Sequence, residues 1–184
     1  MGIHQIQIRH DETEDRLLLR FSTTDNSEFR FWLTRRFTKR LWGMLVQMLE
    51  WDQAVKQQVV PETRRTVLEI QHEGYSNQAN YAKQFEEPTR ETPRHLPLGE
   101  APVLLAKANG KKGDHGFQLL GLHPLEGQGI DINFDTKLLH IFTRLLREQV
   151  AKTDWDVNLA LYEKTAQQST PAGNAKPPQP RKLN

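Results

Sequence analysis

The feature that most constrains this chain is a strand-to-helix segment that occurs twice. The sequences EFRFWLTRRFTKRLWGMLVQML (28–49) and GIDINFDTKLLHIFTRLLREQV (129–150) align without a gap. The alignment pairs Phe29 with Ile130, Phe31 with Ile132, Leu33 with Phe134, Phe37 with Leu138, and Leu41 with Phe142. Each copy changes from a strand-like alternation to a helical period at a residue suited to capping, Thr34 or Asp135. Two copies predict a pseudo-two-fold domain rather than a solenoid.

Two further strands are predicted before each copy. IHQIQIRH and RLLLRFST precede the first, and PVLLAKA and FQLLGLH precede the second, with the glycine-rich NGKKGDHG as the turn between them. The sequence therefore predicts an α+β fold made of two strand-strand-strand-helix units with antiparallel sheets. A single unit of this size buries too little surface to be stable alone, so we expect the two units to share one core.

The composition divides the chain into four segments. Residues 1–84 form the first unit, which includes an extra helix at about residues 62–84, although its beginning, residues 62–74, could instead be a strand. Residues 85–102 contain four prolines and are predicted to be a linker, because proline resists both helix and central strand. Residues 103–164 form the second unit. Residues 165–184 are rich in Pro, Gln and Lys and are predicted to be a disordered tail.

The overall composition excludes several classes of protein. The 184 residues include no cysteine, which excludes disulfides, thiolate metal sites and cysteine nucleophiles. The formal net charge of +2 gives no global attraction for nucleic acid. The first ten residues lack the apolar segment of a signal peptide, and no apolar run is long enough to span a bilayer. We therefore expect a cytoplasmic protein without a membrane partner.

Motifs for catalysis or for cofactor binding are missing. NGKKGDHG has glycines and lysines, but it lacks the order of a phosphate-binding loop and is followed by a strand. Glu69 and His72 have the Glu-x-x-His spacing of di-iron bundles, which need two such motifs and further carboxylates, so we expect a solvated helix face and no metal. The sequence predicts no catalytic residues and no cofactor, and hence a protein that is not an enzyme.

A basic cluster surrounds the start of the first repeated helix. Its members are the positive side chains and one tryptophan of the segment RFWLTRRFTKR, namely Arg30, Trp32, Arg35, Arg36, Lys39 and Arg40. Cations at the start of a helix oppose its macrodipole, so their presence needs a reason. One reason is a phosphate or nucleic-acid partner, with Trp32 stacking on a base. The other is internal pairing with carboxylates of neighbouring turns. The second copy lacks the cluster, so the architecture itself does not require it.

The apolar surface of the same helix suggests a different function. Trp42, Val46 and Leu49 widen its apolar stripe, and Trp51 follows. Such aromatic residues are enriched in protein interfaces. Our first hypothesis is therefore a protein that assembles with itself or with another protein, with Trp42, Val46 and Trp51 in the interface. The competing hypothesis is the binding of nucleic acid or another polyanion by the basic cluster.

Three segments carry a resemblance to a known family. DRLLLRFSTTDNSEFRFWLTRRFTKRLW, LHIFTRLLREQV and the later DWD resemble a family of uncharacterised bacterial proteins. The resemblance covers most of the chain before the tail. It implies no activity and no site residues.

Overall fold

The computed structural model describes residues 2–78, 85–114 and 116–161. The elements in chain order are β1 (Ile3–Asp11), β2 (Arg16–Thr23), β3 (Glu28–Leu33), α1 (Arg35–Leu49), α2 (Gln53–Lys56), α3 (Pro61–Gln78), β4 (Val103–Leu104), β5 (Lys107–Lys112), β6 (Gln118–His123), β7 (Ile130–Phe134) and α4 (Thr136–Val150). The fold is α+β, as the sequence predicts.

The strands form two sheets. In the first sheet, β1, β2 and β3 are antiparallel neighbours, and the short β4 pairs with β3 in parallel. In the second sheet, β5, β6 and β7 are antiparallel neighbours in that order. Each unit therefore has the predicted sequence of three antiparallel strands followed by a helix. The addition of β4 to the first sheet is not predicted.

The change from strand to helix occurs at the same place in both copies. Thr34 and Asp135 have extended backbones and accept hydrogen bonds from the N–H groups of Phe37 (3.2 Å) and Leu138 (2.6 Å). A side-chain oxygen in this position satisfies one of the free N–H groups at the start of a helix. Both predicted N-caps are confirmed, and the aligned strand residues of β3 and β7 are buried in both copies.

The two units share one core. Helix α1 packs against β5 of the second unit, and α4 packs against β1 of the first. Between them, the ring of Phe21 lies 6.5 Å from that of Phe134 and 5.9 Å from that of Phe142, measured between centroids. This reciprocal packing is the pattern expected of a pseudo-two-fold pair, and it buries the apolar face of each sheet.

The predicted strand at PVLLAKA is wrong. Its first part is β4, which joins the first sheet, and β5 begins only at Lys107 and includes the first half of the glycine-rich stretch that was predicted to be a turn. Gly110 explains the difference, because a Cβ atom there would lie 3.0 Å from Sδ of Met48 on α1. The absence of a side chain lets the helix approach this strand closely.

The proline-rich segment connects the two units and also packs on the first sheet. We call residues 85–105 the strap. The N–H of Glu28 donates to the carbonyl of His95 (2.8 Å), and the N–H of Leu105 donates to the carbonyl of Trp32 (3.0 Å). The strap thus runs along the edge of β3, where proline is tolerated because few ladder hydrogen bonds are needed.

The extra segment of the first unit is helical at residues 61–78, so the strand alternative for residues 62–74 is wrong. The rest of the predicted helix, residues 79–84, and the predicted tail, residues 165–184, lie outside the described residues. No helix in the described part of the chain has the length and apolar character to cross a membrane.

Candidate functional site

Four cations of the first repeated helix face solvent together. Arg35, Arg36, Lys39 and Arg40, which we call the basic face of α1, are all exposed. Among the described residues, no carboxylate lies within ion-pair distance of any of them. Nη2 of Arg35 donates a hydrogen bond to the backbone carbonyl of Asp156, at 3.4 Å.

The basic face follows from the way α1 is packed. The opposite side of the helix is buried in the shared core, through Phe37, Thr38, Leu41, Trp42, Leu45, Met48 and Leu49. The first turn contains no acidic residue, so nothing there offsets the positive end of the helix dipole. Four cations of like sign within about one and a half turns repel one another, and an anion bound there would relieve that repulsion.

The other two residues of the predicted cluster lie on the outer face of the first sheet. Nε of Arg30 donates to Oε1 of Glu28 (2.7 Å), and its Nη1 donates to the carbonyl of Glu100 (3.3 Å). Trp32 is half-buried, and its backbone pairs with the strap. The structure therefore brings together four of the six residues and pairs Arg30 internally.

Glu28 is the centre of a buried ionic network that the sequence does not reveal. Its fully buried carboxylate accepts from Arg20 (2.8 Å), Arg30 (2.7 Å) and Arg94 (3.0 Å). Burial by itself would raise the pKa of Glu28, but the three guanidinium groups lower it to about 2. The carboxylate therefore stays ionised at neutral pH.

The same network fastens the strap to the first sheet. Arg20 donates to both carboxylate oxygens of Glu87, at 2.6 and 2.7 Å. The ring of Phe85 lies against the guanidinium carbons of Arg20 (4.2 Å) and Arg94 (4.9 Å). Bidentate pairs and stacked guanidinium groups are strong, geometrically specific contacts, so this network has a structural role.

The predicted interface residues contact other parts of the chain. Trp42 is buried, and its Nε1 donates to the carbonyl of Ala160 (3.0 Å), which belongs to the segment after α4. Val46 and Trp51 are partly buried against the core, and the ammonium group of Lys112 lies 5.4 Å from the centre of the Trp51 ring. The wide apolar side of α1 is thus accounted for by packing within the described residues.

The Glu-x-x-His spacing does not bring its two side chains to one site. Glu69 is exposed, whereas His72 is buried and contacts His140 of α4. The predicted solvated face is therefore wrong for His72. Among the described residues, no group of three or more histidine or carboxylate side chains is placed to hold a metal ion.

A groove of about 690 Å³ lies where the start of β1 meets the second unit. It is lined by Gly2, Ile3, Lys111, Lys112, Gly113, Asp114, Phe117, Leu119, Asn133, Asp135 and Leu138. The carboxylate of Asp135 is engaged as the N-cap of α4. The groove combines an apolar floor with separate charges and shows no nucleophile paired with a base.

Comparisons with protein-family models, with curated proteins and with solved structures return no match.

Proposed function

We propose that this protein is a non-enzymatic binding protein that holds a polyanion, in the first place nucleic acid, on the basic face of α1. The observation that carries the proposal is the exposure of Arg35, Arg36, Lys39 and Arg40 without a carboxylate partner among the described residues. Phosphate groups suit this surface, because arginine offers bidentate hydrogen bonds and lysine a compact charge.

The sister helix supports the proposal. In the gap-free alignment, Lys39 and Arg40 of α1 correspond to His140 and Ile141 of α4, which are both buried. Helix α3 packs against α4, whereas α1 is left open at the corresponding positions. At these two positions the helix is therefore covered in one copy and exposed and basic in the other.

The side chains beside the basic face favour contact with phosphates over contact with bases. Trp42 is buried and Trp32 lies on the sheet, so neither offers an exposed ring next to the four cations. Proteins that bind single strands usually stack bases on aromatic side chains. Contacts to the backbone alone carry no sequence information, so we expect sequence-independent binding that weakens strongly with salt.

Fluorescence anisotropy of a short labelled DNA duplex tests the proposal. At low salt we expect binding by the wild-type protein and a loss of affinity of about tenfold or more in Arg36→Ala/Arg40→Ala. The matched control is Lys107→Ala/Lys111→Ala, which removes two exposed cations from β5 and should leave the affinity nearly unchanged. Equal losses in the two variants would indicate a general charge effect, and no binding at low salt would reject the proposal.

A second candidate is a protein partner or a second copy of the chain. Its support is the exposure of three large apolar side chains, Val59 (90%) and Val60 (52%) just before α3 and Ile70 (64%) within it. Exposed apolar patches mark interaction surfaces. Light scattering of the wild-type protein and of Val60→Ser/Ile70→Ser tests it, and a strict monomer that recovers no partner in a pulldown would reject it. Either function is compatible with a cytoplasmic protein, which we retain as part of the proposal.

A further inference from the structure

Two buried histidines meet where α3 packs against α4. Nδ1 of His72 lies 3.2 Å from Nδ1 of His140, and the two residues are 5% and 0% exposed. The ring of Tyr75 stacks on that of His140 with 5.2 Å between centroids. The pair thus lies inside a helix–helix contact, away from the basic face of α1.

The contact defines how protons are distributed in the pair. Two nitrogen atoms at this distance form a hydrogen bond only if one carries a proton and the other does not. The Nε2 atoms of His72 and His140 have no hydrogen-bond partner among the described residues. A neutral pair can therefore form the shared Nδ1–H···Nδ1 hydrogen bond. Each added proton brings a positive charge into a buried contact in which no described group accepts a hydrogen bond from Nε2.

The charged groups around the pair differ on its two sides. His72 is influenced by the positive charges of Arg144 and Arg147 on α4, and His140 by the carboxylate of Asp52 before α2. Asp52 also accepts hydrogen bonds from Gln71 (3.1 Å) and Thr136 (3.1 Å).

Two more charged side chains lie along the same helices, Arg65 on α3 and Glu148 on α4. Arg65 lies two turns before His72 on the same face of α3, and Arg144 binds Glu148 (2.6 Å) on α4. Burial is the main cause that lowers the pKa of each imidazole to about 4. The two arginines lower the pKa of His72 further, and the neighbouring His72 lowers that of His140.

We propose that His72 and His140 form an acid-sensitive latch that holds α3 against α4. Among the described residues, helix α3 has no counterpart in the second unit, and most of the shared core cluster lies in the two sheets, α1 and α4. Protonation of the pair places positive charge in a buried contact that already faces two arginines, and α3 separates from α4 while the repeated core stays folded. Local opening of this kind is expected for the least repeated part of a fold.

The release uncovers a specific surface. The ring of His140 is covered by His72 and Tyr75 of α3, and Leu139 of α4 and Leu68 of α3 belong to one core cluster. Because Lys39 of α1, which corresponds to His140, is exposed, acid would make the two repeated helices more alike in accessibility at this position. The latch does not depend on whether α1 binds a polyanion.

Nuclear magnetic resonance of the wild-type protein between pH 7 and pH 4 tests the latch without any substitution. We expect both imidazoles to remain neutral well below pH 6.5, and the amides of residues 61–78 to lose at least about tenfold of their exchange protection before those of β2 and β6 do. Titration of either imidazole near pH 6.5 with α3 still protected would overturn the proposal. Simultaneous loss of protection in α3 and the sheets would also overturn it.

Variants separate the latch from ordinary packing. His72→Phe/His140→Leu keeps apolar side chains in the contact and removes both titrating groups, so α3 should stay protected at the acid end of the titration. The single change His72→Gln leaves His140 as the one titrating group of the pair, so the acid transition should depend less steeply on pH even where the change lowers protection at pH 7. A transition that persists unchanged in both variants would assign it to other groups.

Zinc binding by the two histidines is the alternative to the latch. Imidazole nitrogens of two zinc ligands can lie close together, since each Zn–N bond is about 2.0 Å long. The thermal midpoint of the wild-type protein is measured at pH 7 with zinc chloride and with EDTA. The latch predicts equal midpoints, whereas a higher midpoint in zinc that is lost in His72→Gln would show a metal site instead.

Discussion

The helices α1 and α4 occupy equivalent places in the two units and differ in what covers them. On α4, His140 is buried against His72 and Tyr75 of α3, and Ile141 is also buried. On α1, the corresponding Lys39 and Arg40 face solvent. The backbone of the unit is compatible with both surfaces. At these positions α4 packs inside the protein, whereas α1 presents positive charge to solvent.

The outer faces of the two sheets differ in the same way. The first carries Glu28, Arg20 and Arg30 under the strap, and Arg94 of the strap also binds Glu28. The second carries Asp131 and Asn133, which are exposed and have no strap over them among the described residues. Thus the first unit is covered on its sheet and open on its helix, and the second unit is the reverse.

The largest expected effect comes from the core that the two copies share. Phe142→Ala should lower the free energy of unfolding by about 3–5 kcal/mol, and the change at its sister position, Leu41→Ala, by about 2–5 kcal/mol, because both side chains are fully buried. Urea denaturation followed by tryptophan fluorescence and by circular dichroism should show one transition in each variant. Two separate transitions would mean that the units have independent cores.

The next largest effect on stability distinguishes the outer faces of the two sheets. Glu28→Ala leaves Arg20 and Arg94 buried without their shared carboxylate, and we expect a loss of about 3 kcal/mol. Asp131→Ala, at the position that corresponds to Arg30, should change stability by less than about 0.5 kcal/mol, because Asp131 is exposed. The midpoints of urea denaturation measure the stability of both variants. Similar losses of stability in Glu28→Ala and Asp131→Ala would contradict the difference between the two outer faces.

Acid should act on the first sheet through the same carboxylate. The pKa of Glu28 is lowered to about 2 in the folded protein, so its stabilising contribution is complete above its ordinary pKa of 4.5 and is lost as the pH falls toward 2. Stability measured against pH should therefore decline in that range in the wild-type protein. In Glu28→Gln the decline should be smaller, and an identical decline would assign it to other carboxylates.

The repeated elements were predictable because their signals are local. The alternation of β3 and β7, the helical period of α1 and α4, and the caps Thr34 and Asp135 each follow from residues a few positions apart. These signals sufficed for the α+β class and for the two units.

What could not be predicted depends on distant partners. Glu28 and Arg20 alternate with apolar residues, as solvated side chains do, and only the strap makes them buried. Likewise, the sequence around His140 cannot show that α3 covers it. Four of the six predicted polyanion-binding residues lie together on the helix, and pairing with Glu28 separates Arg30 from them.

A smaller loss of stability is expected when either N-cap residue is replaced. Thr34→Ala and Asp135→Ala each remove an acceptor from the first turn and should cost about 1 kcal/mol. The loss should be greater for Asp135, because its negative charge also interacts favourably with the helix dipole. Thermal denaturation compares them, with Asn133→Ala as an exposed neighbour that should have almost no effect.

The smallest effect on stability is expected on the basic face. Arg36→Ala/Arg40→Ala should change the free energy of unfolding by no more than about 0.5 kcal/mol, with the sign toward stabilisation, because it removes cations from the positive end of a helix. Urea denaturation checks this. A large loss would show that these arginines are structural and would weaken their assignment to binding.

The most direct test of the account is the salt dependence of duplex binding. If the four cations of the basic face each neutralise one phosphate, the logarithm of the affinity should fall with the logarithm of salt concentration with a slope of about −3.6. In Arg36→Ala/Arg40→Ala the slope should fall to about −1.8, since two contacts are removed. An unchanged slope in the variant, or affinity that does not depend on salt, would contradict the claim that the open helix of the first unit is the binding surface.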